Sequence, residues 1–437
     1  MKKSILLLSV TLISVICFSQ FQNIQLPKPK TATYHYSQVE PSIFINPNNT
    51  NEVIAGSVMN DYYYSKDGGL TWKSKSIKSK TSGVNGDPCM LIDNEGNYYY
   101  FHLSNIDGHS LVGGMVCERS STIRGCFRKE GHTLINGKFH DKEWVALNSK
   151  NNHIYMTWTQ FDAYDSKDTL MRSNIVFSKS TDKGMTWSIP IDISKFSGDC
   201  QDNDLTAEGA TPTVGINGEI YVVWAKDSKL YFNYSLDEGL TWLEEELEVS
   251  SQEMGWVLDI PGIYRCNGLP VTAYDNSTSD FKGTLYVNWG DQRNGIDDTD
   301  IWLKKSIDGG RTWSADIKVN GDDTKRHQFL SWLTVDQMTG YVYVMYYDRR
   351  NSNSIATDVY LSVSKDGGDT FKDYKVSESS FTPNKDMFFG DYTNISVHNG
   401  VIRPIWTRLD DTKISLYTAI INQEQLNKIN FKNDFKK

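Results

Sequence analysis

Apolar and polar positions alternate along most of this chain, in short runs broken by stretches rich in Gly, Asn and Asp. Alternation with period two predicts strands that bury one face. The runs follow a fixed order: a polar or charged opening, an apolar strand, a turn, then an aromatic-rich answering strand. That order recurs seven times, with openings at Glu40, Asp87, Lys142, Thr211, Leu269, Phe329 and Asp391. The answering strands include Tyr98–His102, Ile154–Trp158, Ile220–Trp224, Leu285–Trp289, Val342–Tyr347 and Val401–Trp406. The seventh unit has three evident strands, ending with Ile414–Ile420, and a segment around Asn23–Pro29 is expected to supply its fourth.

A second repeat punctuates the first. The phrase Ser-x-Asp-x-Gly-x-Thr-Trp, or a near variant, occurs five times, centred on Asp67, Asp182, Asp237, Asp308 and Asp366. Asp and Gly at this spacing make a tight turn, in which the carboxylate accepts backbone N–H bonds and Gly takes φ > 0. The aromatic residue that follows (Trp72, Trp187, Trp242, Trp313 or Phe371) is expected to bury itself between neighbouring sheets. The last four Asp lie 55, 71 and 58 residues apart, whereas Asp67 and Asp182 are 115 apart, so the second unit has lost its phrase. Together the repeats predict an all-β, seven-bladed β-propeller, closed by the N-terminal strand so that no sheet edge stays open. It should occupy residues 20–423, followed by a polar tail over 424–437.

The phrase resembles the Asp box of the sialidase-like superfamily, and the resemblance covers most of the chain after residue 19. It implies the propeller fold and leaves the reaction open. Sialidases are six-bladed and carry an early Arg-Ile-Pro motif for the substrate carboxylate. The corresponding stretch here, Gln38–Ser42, has no Arg. In blade number and site residue types the chain is more similar to the propeller polysaccharide lyases that act on ulvan, and to related oligosaccharide dehydratases.

Each blade should be a meander of four strands, A to D. The start of A and the end of B then share one rim, and the boxes in the C–D turns lie on the other. Site residues are therefore expected just before each strand A and just after each strand B. Openings contribute Glu40, Asp87, His140 to Glu143, Glu208, Tyr264 to Asn267, Arg326, His327 and Asp391-Tyr392. Strand ends contribute Asp61, His102, Asp291, Arg293, Asp348, Arg349 and Arg408. Asp291 with Arg293, and Asp348 with Arg349, read equally as ion pairs between blades.

Two lysines precede an apolar run, Ile5–Cys17, with Ser19 as a small residue for cleavage, so residues 1–19 are expected to be an export signal. Without Lys2 and Lys3 the net charge of −9 becomes −11, which argues against a nucleic-acid partner. No later segment is apolar enough to span a bilayer, and a monomer is expected. Export permits disulfides. Cys117 and Cys126 enclose a short polar loop and form the first candidate pair, Cys200 with Cys266 the second, with Cys89 free and buried. No cofactor is required by the chemistry considered, although the Asp-rich loop at Asp297, Asp298 and Asp300 could offer oxygen ligands to a structural Ca²⁺.

Three functions compete. The first is β-elimination beside a uronic acid in an anionic polysaccharide or oligosaccharide, by a lyase or a dehydratase. The chemistry wants a cation against the carboxylate, a base for the C5 proton and a donor for the leaving oxygen. Arg265, with Arg326 second, suits the first role, His102 the second and Tyr264 the third, with His140 exchangeable for either of the last two. Arg326, His327, Arg293, Arg349, Tyr392 and Glu143 are expected to bind substrate. The second is sialidase-type hydrolysis, drawing on Asp87, Glu208, Tyr392 and the arginines. The third is a propeller that binds glycans or proteins without turnover.

Overall fold

The computed structural model describes residues 20–30, 37–79, 83–105, 113–133 and 137–434. Residues 1–19, read as an export signal, lie outside the described residues. Seven four-stranded antiparallel sheets surround a common axis, with one additional two-stranded hairpin, Val257–Leu258 with Cys266–Asn267. Their innermost strands are Val39–Ile45, Cys89–Ile92, Phe139–Leu147, Glu208–Val214, Val271–Tyr274, Gln328–Val335 and Asn394–His398. Neighbouring innermost strands touch around the whole circle. The seventh sheet takes its outer strand from the other end of the chain: Gln22 pairs with Ile420 and Gln25 with Tyr417. This is the expected seven-bladed propeller with its N-terminal closure.

Aromatic side chains on the second strands fill the wedges between blades. Trp158, Trp224, Trp289 and Trp406 are completely buried at matching stations in blades 3, 4, 5 and 7. At the opposite rim the boxes lock the blades together. In the first, Ser65 Oγ donates to Asp67 Oδ1 at 2.7 Å and accepts from Gly69 N at 2.8 Å. Asp67 in turn accepts from Thr71 N at 2.8 Å and Thr71 Oγ1 at 2.6 Å. The same Asp–Thr pair of bonds recurs at Asp182, Asp237, Asp308 and Asp366. The box glycines have positive φ and face the preceding blade: Gly239 meets Phe177, Gly310 meets Phe232 and Gly368 meets Tyr286. A Cβ at Gly310 would lie 2.2 Å from the Phe232 ring, so only Gly fits there.

No disulfide forms among the five described cysteines, which corrects both expected pairs. Cys117 faces the core between blades 2 and 3 with Tyr99 and Phe101. Cys126 is exposed on the far side of the same sheet, beside Gly125, which packs on Tyr62 of blade 1. The loop between the two is short in sequence, but Cys117 Sγ is buried against Gly184 of blade 3 whereas Cys126 is at the surface. Cys200 and Cys266 are each buried and unpaired. The stretch read as a polar tail is helical over Gln423–Asp434, anchored by the buried Leu426 and by Tyr343 Oη donating to Gln423 Oε1 at 2.6 Å. Among the described residues no helix is long and apolar enough to cross a membrane.

Candidate active site

The first strands begin with an irregularity that repeats around the ring. Pairing with the second strand skips between Val39 and Ser42, Asp141 and Trp144, Glu208 and Thr211, and Phe329 and Trp332. In every case the residue after the last regular pair is left-handed: Glu40 (φ 51°), Lys142 (φ 56°), Gly209 (φ 77°) and Leu330 (φ 50°). Asp87, just before strand A of blade 2, has φ 48°. Non-glycine residues held there cost on the order of 1 kcal/mol or more each, and such bulges commonly re-aim side chains at functional rims. Here they present Glu40, Asp87 and Lys142 to the axis of the propeller.

Those side chains line a funnel of about 1430 Å³, open to solvent, together with Asp141, Asp202, Glu208, Tyr264, Arg265, Phe388 and Asp391. Arg265 chelates Asp391 through Nε (2.9 Å to Oδ1) and Nη2, and its Nη1 stands 3.7 Å from Asp202. Its guanidinium stacks on Phe388 at 5.2 Å, and the side chain is 49% exposed. Tyr264 beside it is 61% exposed, with its ring edge-on to Phe388. Lys142 Nζ lies 4.9 Å from the centre of the Tyr392 ring.

Six carboxyl groups and two cations share this space, so their charges regulate one another. Burial would depress the Lys142 amine, but Asp391, Asp87, Glu40 and Glu208 outweigh it and hold the amine above its ordinary value. Burial likewise works against ionised Asp391, yet Arg265 and Lys142 keep its carboxyl below the usual range. Glu40 and Asp141 go the other way, raised by burial and by neighbouring acids, Asp87 foremost. Glu208 is buried, and desolvation together with Asp202 pushes it up to about 8. Its Oε1 accepts from Thr159 Oγ1 at 2.9 Å, whereas Oε2 has no partner. Below the funnel, Trp144 and Trp332 meet with ring centres 4.4 Å apart, beside Tyr392. They line a more apolar chamber with Glu143, which shares Asp87, Lys142 and Asp391 with the funnel. Both oxygens of Glu143 are buried without partners, and desolvation raises its pKa far above the ordinary value.

Comparison with known proteins agrees with the repeat and the ring. The BNR/Asp-box repeat model matches residues 63–74, the first of the five boxes. The chain is an Asp-box β-propeller. A stretch of 131 residues is 30% identical to an ulvan lyase of Nonlabens ulvanivorans, covering 28% of this propeller and about a quarter (26%) of that relative. A PL25 ulvan lyase solved with -[GlcA(1-4)Rha3S]- superimposes with a TM-score of 0.55 at 15% identity, covering 89% of this chain and 94% of the other. The GH93 α-L-arabinofuranosidase of Fusarium graminearum with arabinobiose gives 0.52 at 12% identity, over 93% and 98%. At such identities the superpositions show the fold alone.

The propeller sorts the expected site residues unevenly. Tyr264 and Arg265 line the funnel, as do Glu40, Asp87, Asp141, Lys142, Glu208 and Asp391 from the openings. Tyr392 and Glu143 sit in the inner chamber. The histidines do not reach the funnel. His102 is fully buried, its Nδ1 is 2.8 Å from the Leu103 carbonyl, and desolvation lowers its pKa to about 4. It is Leu103 that lines the funnel. His140 is also fully buried, and its Nδ1 accepts from Trp158 Nε1 at 2.6 Å. His327 pairs with Thr299 Oγ1 at 2.9 Å, and burial with Arg349 nearby lowers its pKa to about 4.

The arginines of the strand ends are engaged away from the funnel. Arg293 binds Asp291 and Asp316 and lies over Trp302, and Arg350 rather than Arg349 takes Asp348 and Asp373. These pairs lie within blades, not between them. Arg349 is buried, donating to Pro261 O at 2.7 Å and Thr357 Oγ1 at 3.1 Å, and Arg326 reaches Asn353 at the surface. In the Asp-rich loop, Asp300 is engaged by Lys318 at 2.8 Å and Asn320 at 2.7 Å. Among the described residues no three His, Cys, Asp or Glu side chains converge into a set that could hold a metal. Sequence reasoning missed Asp202 and Phe388, which reach the funnel from loops that carry no strand signal.

Proposed function

We propose that this propeller is an exported carbon–oxygen lyase that cleaves an anionic, uronate-containing polysaccharide or its oligosaccharides by β-elimination. The carrying observation is the grouping of Lys142, Arg265, Tyr264 and Glu208 around one funnel, in a chain sharing local identity with an ulvan lyase. Pairing with Asp391 uses Nε and Nη2 of Arg265, and a substrate carboxylate would meet Nη1 by displacing its looser 3.7 Å contact with Asp202, with Lys142 as a second cation. Neutralising that carboxylate acidifies the C5 proton, because the intermediate places a second negative charge on it. Glu208 takes the proton: a carboxylate with a pKa near 8 is a stronger base, once ionised, than an ordinary one. The C5–H electrons form the C4–C5 double bond, the C4–O bond breaks, and the leaving oxygen takes the Tyr264 phenol proton. This assignment replaces His102 and His140 with Glu208, since neither ring opens on the funnel.

The test is incubation of the mature protein with ulvan and other uronate polymers, following ultraviolet absorbance of the conjugated double bond. A rise, with a product mass lacking one water relative to hydrolysis, supports elimination. No rise across the panel, with binding alone, would make this a glycan-binding propeller. A second reading, glycoside hydrolysis, is favoured by the same Glu208, which could act as the acid while it still holds its proton. Reducing sugar released without absorbance would establish it.

A further inference from the structure

Blades 5 and 6 contribute nothing of their own rim to the funnel. Its described lining comes from blades 1 to 4 and the connections between them, from the connection that follows blade 4 and from the one that precedes blade 7. The connection after blade 4, residues 252–270, is long beside residues 319–327 between blades 5 and 6. Connections of that length are uncommon and often functional. This one carries the hairpin Val257–Leu258 with Cys266–Asn267 and lies as a strap on blades 5 and 6. Its underside is apolar: Leu258, Ile260, Ile263 and Cys266 are buried in one cluster with Ile301 of blade 5 and Phe329 and Tyr347 of blade 6. Polar bonds pin its tip. Gln292 Nε2 of blade 5 donates to Asp259 O at 3.3 Å, and Arg349 Nη1 of blade 6 donates to Pro261 O at 2.7 Å. Gly262 (φ 80°) comes so near Ile355 that a Cβ would lie 2.9 Å from it. Both flanks are tied as well. Val257 N donates to Asp204 Oδ1 at 2.8 Å in the connection before blade 4, and Asn267 Nδ2 donates to Asp391 O at 2.8 Å before blade 7. The side turned to the funnel offers Tyr264 and Arg265. The strap therefore stands as a wall between the funnel and the rim of blades 5 and 6, and Arg349 lies buried beneath it.

On the uronate-chain reading above, on which this rests, we propose that the strap makes the funnel blind on one side, so that the site takes the end of an anionic sugar chain and not a stretch of its interior. A chain bound through its interior must leave the site in two directions. Here one of them is filled by side chains packed into the core of two blades. Moving the strap aside would bring Leu258, Ile260, Ile263 and Cys266 into water and break the bonds at Asp259 and Pro261, a cost that a passing chain does not return. The residues that set this mode of attack are thus the anchors under the strap, Ile260 and Arg349 among them, none of which touches substrate.

The test gives the mature protein uronate chains of increasing defined length, compared at equal mass of sugar below saturation. End attack makes the initial rate proportional to the number of chain ends, so doubling the length should halve the rate. One product size should dominate from the earliest time points. Rates independent of length, with products of mixed size from the start, would overturn the proposal and leave elimination standing. Binding supplies a readout that needs no turnover: light scattering should find one protein molecule per chain however long the chain. Several molecules on each long chain would overturn the proposal equally. One per chain, with no ultraviolet absorbance at any length, would keep end recognition and remove the lyase. The double variant R349M/I260A, which cuts the bond at Pro261 and removes an apolar anchor, should admit more than one molecule to the longest chains. A folded double variant that still binds one per chain would show that the strap is not the barrier. Where that variant fails to fold, the length series on the parent decides.

Discussion

Glu208 and Arg265 illustrate how little a residue's type says until its neighbours are known. Glu208 is an ordinary acid made weak by burial and by Asp202. As the base of an elimination it must be ionised, so kcat/KM should climb with pH through about 8. As the acid of a hydrolysis it must hold its proton, and activity would fall over the same interval. Glu208→Gln should lower turnover at least about 100-fold, in the range typical of lost acid–base catalysis, and abolish that pH limb. Arg265 offers a planar fork, and Arg265→Lys cannot span Asp391 and a substrate carboxylate together. We expect a loss of about 10- to 100-fold in kcat/KM, seen mostly in KM if Arg265 holds the ground state. His102 makes the opposite case. His102→Leu removes a ring that never meets the funnel, and kcat/KM should stay within about twofold of the parent, read with folding checked by circular dichroism, since removal of a non-contacting group leaves transition-state binding intact.

At the scale of the element, box turns and bulges occupy opposite ends of the strands and do opposite work. The boxes are local and cooperative: each Asp accepts from a Thr backbone and hydroxyl four residues on, which holds Asp308 down at about 2. Asp308→Ala should cost about 1–2 kcal/mol by loss of these bonds. In a chain of this size that lowers Tm by a few degrees, with kcat unchanged because the turn lies on the far rim. Activity falling with stability unmoved would contradict that placement. The bulges were not legible in advance. Alternation marks a strand, but nothing in Glu40 or Lys142 announces a left-handed backbone, a conformation imposed by seven strands converging on one axis. Their place in the openings was legible, because a meander fixes which strand ends share a rim. Of the strand-end arginines, Arg293 turns to Asp316, just before its blade's fourth strand, and Arg349 is buried against Pro261 and Thr357, so neither lines the funnel.

For the whole molecule, buried acids set the pH response. Desolvation raises Asp61 to about 7, Asp348 to about 6 and Glu208 to about 8, with Glu40 and Glu143 raised as well. Above their ordinary pKa near 4 the unfolded chain releases these protons while the folded chain resists, so stability drains away as pH rises toward 8. Buried His102 and His327, lowered to about 4, oppose this below about 6.5, where only the unfolded chain takes up their protons. Asp237 and Asp308, lowered to about 2, withdraw their contribution only as pH falls below about 4. Tm should therefore peak in mildly acidic solution and fall by pH 8. A monotonic rise from pH 5 to pH 8 would show that these acids are ionised at little cost in the folded chain.

The sequence by itself determined the blade count, the box turns, the closing N-terminal strand and the rim on which the funnel opens. All of these follow from local periodicity and from the up-and-down order of strands, which chain connectivity enforces. Only the tertiary structure decided which rim residues share the funnel. Distance across the axis and burial bring Lys142, Glu208, Arg265 and Tyr264 to one funnel and keep His102, His140, Arg293 and Arg349 out of its lining. Those quantities arise between blades far apart in the chain: Arg265 meets Asp391 across 126 residues, and no local pattern encodes such a meeting.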